Sequence, residues 1–219
     1  MQAMTVSRVL VWSRWLRLAH WTMALSTLGL LLTGWLMNAD PLLAIDARDY
    51  HYMLSALLLP ALALRGYLLF FGKGTDLLEA CEPDRHRLRQ SLEVLKFYLS
   101  LGRSPLPKWF SHNPLWGPLD LMVLAFLLIA CFSGLLLLNE LTYLGPLSNH
   151  DLHALSNIVI GVFVLLHLPA VFSHDLIGKG SDISAMINGY RVFLTGNQQK
   201  PDSLGVKSVS VKELMKSLR

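Results

Sequence analysis

HDLHALSNIVIGVFVLLHLPAVF, residues 150–172, decides the fold. From Ala154 to Phe172 it contains no Asp, Glu, Lys or Arg. A helix needs about 20 apolar residues to cross the ~30 Å hydrocarbon core of a bilayer, and this run supplies them. Yet His153 opens it and His167 lies deep inside it. Ionisable residues at such depth usually face the interior of a helix bundle and serve a purpose there.

Three more apolar runs accompany it: Leu18–Ala39, Tyr50–Gly72 with Arg65 as its single charge, and Leu121–Asn139. The 219-residue chain is 53% hydrophobic and 16% charged, with a mean hydropathy of +0.44. Backbone groups in lipid must be satisfied within the segment, so the runs are predicted to be helices. The expected fold class is an all-α integral membrane protein, a four-transmembrane-helix bundle. Helices are expected at about 15–38, 50–72, 117–139 and 152–173 within a domain spanning 1–196. A loop at 73–116 and a polar tail at 197–219 complete it. Ser91–Leu101 reads as an amphipathic surface helix. The first run is too long for a signal h-region and no small-x-small site follows it, so it is expected to stay in the chain. Two cysteines make no disulfide framework.

Charge orients the bundle. Of 19 basic residues, 17 fall before the first run, between the second and third, or after the fourth. The two remaining connections are acidic: Asp40, Asp46 and Asp49 in one, Glu140 and Asp151 in the other. The positive-inside rule then places both termini and the 73–116 loop in the cytoplasm. The pI near 9.2 follows from this asymmetry and implies no nucleic-acid partner. GKGTD (72–76) and GKGSD (178–182) echo each other after the second and fourth runs. A helix-ending Gly followed by a Thr75 or Ser181 cap explains them without a function.

Four of the eight histidines lie at or within the apolar runs: His20, His51, His153 and His167. His51 and His153 open their helices on the outer side. His20 enters the first helix from the cytoplasm. His167 lies fourteen residues below His153, about 21 Å further down. The same fourteen residues leave a net rotation of about 40°, so both point into the bundle. The four sort by depth into an outer pair, His51 with His153, and an inner pair, His20 with His167. Two imidazoles from facing helices at one depth make a bis-axial haem site. No CxxCH motif is present, so two non-covalent b-type haems are expected. Arg65, fourteen residues after His51, and Arg17, one turn before His20, are suited to haem propionates. Arg65 has a competing reading as a snorkelling interfacial residue. Gly34, fourteen residues after His20, would let a flat ring approach, or would simply pack helices. A lone helical histidine is more often a packing residue; the paired depths and faces favour ligation. His150 is 17 residues from His167 and points elsewhere, and His174 is expected past the membrane edge.

Several segments carry a resemblance: RLAHWTMALSTLGLLLTG, RDYHYMLSALLLPALALRGY, HNPLWGP, and HDLHALSNIVIGVFVLLH followed by GKGSDISAMINGYR. Over roughly residues 12–193 the chain resembles the dihaem cytochrome b subunits of respiratory nickel-iron hydrogenases and formate dehydrogenases, in the bacterial cytochrome b561-like superfamily. The resemblance implies a membrane anchor for a periplasmic oxidoreductase, and an electron-transfer subunit rather than an enzyme on its own. Electrons would run from the partner's iron–sulfur relay, through outer and inner haems, to a membrane quinone. It also implies a quinone site at the inner haem, at His167 and Asn113 with Gly117 nearby; His112 and Asp120, close by, either relay protons or simply mark the helix start at the interface. The Pro-Leu-Trp between Asn113 and Gly117 departs from the family spacing. The resemblance allows a multimer of the complex and other partners, such as a cytochrome.

Two other classes compete. A stand-alone di-haem b561-type quinone oxidoreductase acting on superoxide would need cationic outer loops, and these are acidic. A metal transporter would need ligand pairs closer than ~20 Å and a discontinuous helix.

Overall fold

The computed structural model describes residues 5–82, 84–107, 109–177, 182–195 and 207–210. Four long helices carry it: α1 (Arg14–Ala39), α2 (Ala44–Phe71), α4 (Trp116–Leu138) and α5 (Asn149–Leu176), with the shorter α3 (Arg85–Leu99) between α2 and α4. Each of the four is long and apolar enough to span a bilayer, the mean hydropathy of the best window rising from 1.2 in α1 to 2.9 in α4. Their leucines, among them Leu25, Leu59, Leu135 and Leu165, are largely exposed on the bundle exterior. That is the surface expected where lipid rather than water is the solvent.

The helices alternate in direction and pack as two hairpins, α1 with α2 and α4 with α5. Leu58 and Leu62 of α2, Val123, Leu127 and Ala130 of α4, and Ile160 of α5 form the core where the hairpins meet. Helix starts follow local chemistry. The Ser13 hydroxyl accepts the Leu16 N–H at 3.0 Å to open α1. The Ser148 hydroxyl accepts the Asp151 N–H at 3.2 Å to open α5. Both are side-chain N-caps. α2 begins at Ala44 rather than near Tyr50, because the Asp40 carboxylate and the Leu43 backbone fold the connection into an immediate helix start. Pro60 and Pro169 lie inside α2 and α5 without ending them.

The expectation of helices alone misses a small sheet. Strand β1 (Thr5–Leu10) pairs antiparallel with β4 (Tyr190–Thr195) on one side and β5 (Lys207–Ser210) on the other. β2 (Tyr143–Leu144) and β3 (Leu147–Ser148) form a short hairpin before α5. β5 comes from the segment expected to be only a polar tail. Pairing with β1 gives its backbone donors and acceptors the partners that an isolated strand lacks. The sheet is tied to the bundle where the Val11 and Trp12 N–H groups donate to the Gly189 carbonyl. Val11, Trp12, Leu16, Leu68 and Ala185 of α6 (Asp182–Asn188) pack behind it as a second core.

The 73–116 segment is no open loop. The Asp84 carboxylate accepts the Arg87 N–H at 2.7 Å and opens α3. Val94 and Phe97 are fully buried, so α3 is docked on the bundle rather than lying free on a surface. It ends at Leu101 and Gly102, both at positive φ, with the Gly102 N–H donating back to Phe97. A Cβ at Gly102 would stand 2.7 Å from Ile177, which adds a packing reason for glycine there. Thr75 does not cap a helix: its hydroxyl donates to the Val11 carbonyl. The corresponding Ser181 lies outside the described residues.

Candidate functional site

The structure brings His51 of α2 and His153 of α5 together. Their ring centroids are 6.3 Å apart at an interplanar angle of 62°. An imidazole–metal bond is about 2.0–2.1 Å long, and the ring centre lies ~1 Å behind the nitrogen. Two imidazoles trans across one metal therefore hold their centroids about 6 Å apart. The pair bounds a small cavity whose walls include Leu30, Leu58, Leu127 and Ile160. Cofactor pockets are lined in this way, mostly apolar with a few placed polar groups.

The outer edges of both rings are held. His51 Nδ1 lies 2.9 Å from Thr33 Oγ1, and His153 Nδ1 lies 3.0 Å from the Ala130 carbonyl and 3.3 Å from Ser133 Oγ. Metal-ligating histidines commonly spend their second nitrogen in this way. A glycine follows each hydroxyl residue. A Cβ at Gly34 would be 3.7 Å from His51 Cε1, and one at Gly134 would be 3.2 Å from His153 Cε1. These donors and this spacing fit a bis-imidazole haem site.

The second pair sits nearer the sheet end. His20 lies within electrostatic range of His167 and Arg65. The His167 ring stacks on Phe163 at 5.2 Å and meets Trp116 edge-on at 5.2 Å. Its Nδ1 is buried without a hydrogen-bond partner. Arg65 is buried, its guanidinium donating to the Asp76 carbonyl at 3.2 Å with the Cys81 sulfur 4.0 Å away. It therefore does not snorkel to a surface. Arg17 donates to the Ile187 carbonyl, and its Nε is buried and unpartnered.

The remaining sequence-selected residues lie around the α4 start. Asn113 Oδ1 accepts the Leu115 and Trp116 N–H groups at 2.9 and 3.4 Å, while its Nδ2 is buried. Asn113 thus helps open α4, with its amide within reach of the Tyr98 hydroxyl. His112 packs edge-on against Trp12 at 4.7 Å, and its Nδ1 is buried without a partner. Burial above all, then the nearby Arg65, Arg87 and Arg191, lowers its pKa to about 3. Gly117 packs on the Cys81 backbone, where a Cβ would be 3.3 Å from the carbonyl oxygen. Asp120 lies within electrostatic range of Arg65.

His174 lies in the last turn of α5. It is 2% exposed, with Nε2 2.7 Å from the Tyr98 hydroxyl and Nδ1 3.2 Å from Asp182. The Trp116 indole N–H also donates to Tyr98, at 2.7 Å. Arg191 links Asp182 to the Trp109, Phe110 and Ser111 carbonyls. Thr33, Ser133, Gly134 and Tyr98 were not singled out from sequence. A hydroxyl–glycine pair recurring at 33–34 and 133–134 was the available signal.

This bundle, with one facing histidine pair and a second pair within electrostatic range inside apolar helices, has the form of a membrane-bound haem protein. The chain belongs to the prokaryotic cytochrome b561 family, whose description matches residues 11–189. It is a multi-pass membrane cytochrome of the b type. Among its relatives, a protein from Rhizobium leguminosarum bv. viciae is 29% identical over 84% of this chain and 89% of its own length. One from Cupriavidus necator is 24% identical over 81% and 84%, and one from Azotobacter vinelandii 28% over 89% and 91%. Each is described as "Probable Ni/Fe-hydrogenase B-type cytochrome subunit". No solved structure matches.

Proposed function

We propose that the chain is the membrane-anchoring dihaem cytochrome b subunit of a nickel-iron hydrogenase complex. In this role it carries electrons across the inner membrane between a periplasmic partner and the quinone pool. The observation that carries this reading is the 6.3 Å facing of His51 and His153 with both Nδ1 atoms engaged. It is supported by the names of the relatives, which cover most of both chains.

His51 and His153 would hold one b-type haem, and His20 and His167 the second, nearer the sheet end. When bound, haem iron supplies one-electron redox chemistry, and the protein tunes it through ligands, burial and nearby charge. The apolar walls contributed by Leu58, Leu127 and Ile160 exclude water from the outer site. Arg65 and Arg17 place positive charge at the inner site, where propionates would otherwise be buried unpaired. The buried Asn113 amide, next to Trp116, would donate to a quinone carbonyl near His167. His112, Gly117 and Asp120 would line that site. The acidic residues Asp40, Asp46, Asp49, Glu140 and Asp151 face the periplasm in this orientation and suit a basic patch on the partner. The termini and α3 then lie in the cytoplasm.

A reduced-minus-oxidised spectrum with haem quantified per chain tests the cofactors. Two b-type haems per polypeptide are expected, and none would overturn the reading. A C-terminal reporter active only in the periplasm would overturn the orientation.

A further inference from the structure

The geometry points to Thr33 and Ser133 as positioning residues of the His51–His153 site: each fixes the facing imidazole as its Nδ1–H tautomer and leaves Nε2 as the free base. This rests on the haem reading above.

Proton placement follows from the acceptors. Thr33 Oγ1 lies 2.8 Å from the Gly29 carbonyl and 3.2 Å from the Leu30 carbonyl. Carbonyls only accept, so the single hydroxyl proton is committed there, within α1. Towards His51, at 2.9 Å, Thr33 Oγ1 is therefore an acceptor, and His51 Nδ1 must be the donor. Ser133 repeats the device in α4. Its hydroxyl is 2.8 Å from the Ile129 carbonyl and 3.2 Å from the Ala130 carbonyl. His153 Nδ1 then faces two acceptors, the Ala130 carbonyl at 3.0 Å and Ser133 Oγ at 3.3 Å. Neither ring has a stable arrangement with a bare Nδ1 at these positions.

The glycines after the hydroxyls admit the rings. A Cβ at Gly134 would crowd His153 Cε1 and Nδ1 at 3.2 and 3.4 Å. The inner site has no such device at His167, whose buried Nδ1 is unpartnered. The protein thus makes its two sites chemically unequal. Hydrogen-bonded Nδ1–H groups raise the basicity of the ligand nitrogen. A more basic ligand favours the oxidised metal, so the latched site has the lower potential for otherwise equal surroundings. The two latches are built alike. Each ring also has a backbone carbonyl in reach, Leu30 for His51 and Ala130 for His153, so each hydroxyl adds a second acceptor to the first.

The test is a redox titration and low-spin EPR spectrum of the full-length, haem-loaded protein. Thr33→Val is expected to raise the midpoint potential of one haem, change its g-values and leave the other haem unmoved. Thr33→Ser should restore both readouts. Ser133→Ala should move the same haem in the same direction. Loss of one haem in Thr33→Val that Thr33→Ser recovers supports the assignment equally. A haem-loaded Thr33→Val protein with unchanged potentials and g-values overturns the latch and leaves the haem reading standing. A parent protein without haem overturns both.

Discussion

The Tyr98 hydroxyl and His174 Nε2 are 2.7 Å apart, their rings stacked at 5.6 Å. This contact joins α3, which follows the second spanning helix, to the end of the fourth. Trp116 donates to the same hydroxyl from the start of α4. Burial pushes the Tyr98 pKa up to about 12, so the phenol stays neutral and can serve both neighbours. Tyr98→Phe would leave a buried imidazole nitrogen and an indole N–H unpaired. The expected cost is about 1–3 kcal/mol of stability. Thermal unfolding of the detergent-solubilised protein and protease cleavage within 73–116 measure it. Leu99→Ala, at a residue 78% exposed on the same helix, should leave both unchanged.

The outer histidines act as a pair. Either His51→Ala or His153→Ala should remove one haem per chain and leave the other, because two imidazoles at a 6.3 Å centroid separation share one site. The residual spectrum of the two variants should be the same. Variants that lose different haems would show that His51 and His153 belong to separate sites. His167→Ala should remove the haem that His51→Ala leaves.

The three glycines facing other helices should respond in order of available space. Gly34→Ala puts a methyl 3.7 Å from His51, an ordinary contact, and should be tolerated or gain up to about 1 kcal/mol from helix propensity. Gly134→Ala meets His153 at 3.2 Å and should shift that ring, lowering haem occupancy or altering the low-spin EPR signal. Gly29→Ala stands 2.7 Å from a Leu54 methyl and should cost stability with little effect on the haem spectrum. Haem content and melting temperature of the three variants separate these effects. Equal responses at Gly34 and Gly134 would count against the close approach at His153.

The spanning runs were legible because a bilayer allows so few alternatives to a helix. The facing of His51 and His153 was legible because depth and helical rotation are both simple functions of residue number. What escaped was set by contacts distant in sequence. β1 finds β4 and β5 across some 180 to 200 residues, and nothing local in Thr5–Leu10 names a partner. His174 reads as a polar residue beyond the apolar run, and only α3 folding back reveals a burial partner for it. Thr33 and Ser133 look like ordinary helix residues. Their repeat at the same offset before a glycine gains meaning only once a histidine is seen opposite each. The hairpins share further spacing: His20 and Gly34, and Asp120 and Gly134, are each fourteen apart, as are His51 and Arg65, and His153 and His167. Asp120 of the α4–α5 hairpin thus stands where the α1–α2 hairpin has His20, and Arg65 of the α1–α2 hairpin stands where the α4–α5 hairpin has His167.

Acid sensitivity should trace in part to His112. Its native pKa of about 3 lies below the ordinary 6.5, chiefly through burial and then through Arg65, Arg87 and Arg191. Between those two values the unfolded chain binds a proton that the native state refuses. Stability from this group is therefore full above pH ~6.5 and falls as the pH drops towards 3. The slope for one such group approaches roughly 1.4 kcal/mol per pH unit. Gln in place of His112 keeps a polar side chain and removes the titration. The His112→Gln protein should consequently lose less stability than the parent between pH 7 and pH 4.5, whatever its absolute melting temperature. Unfolding curves of both proteins across that range measure the difference. Parallel acid limbs would mean that the His112 ring takes up its proton in the folded protein as readily as in the unfolded one.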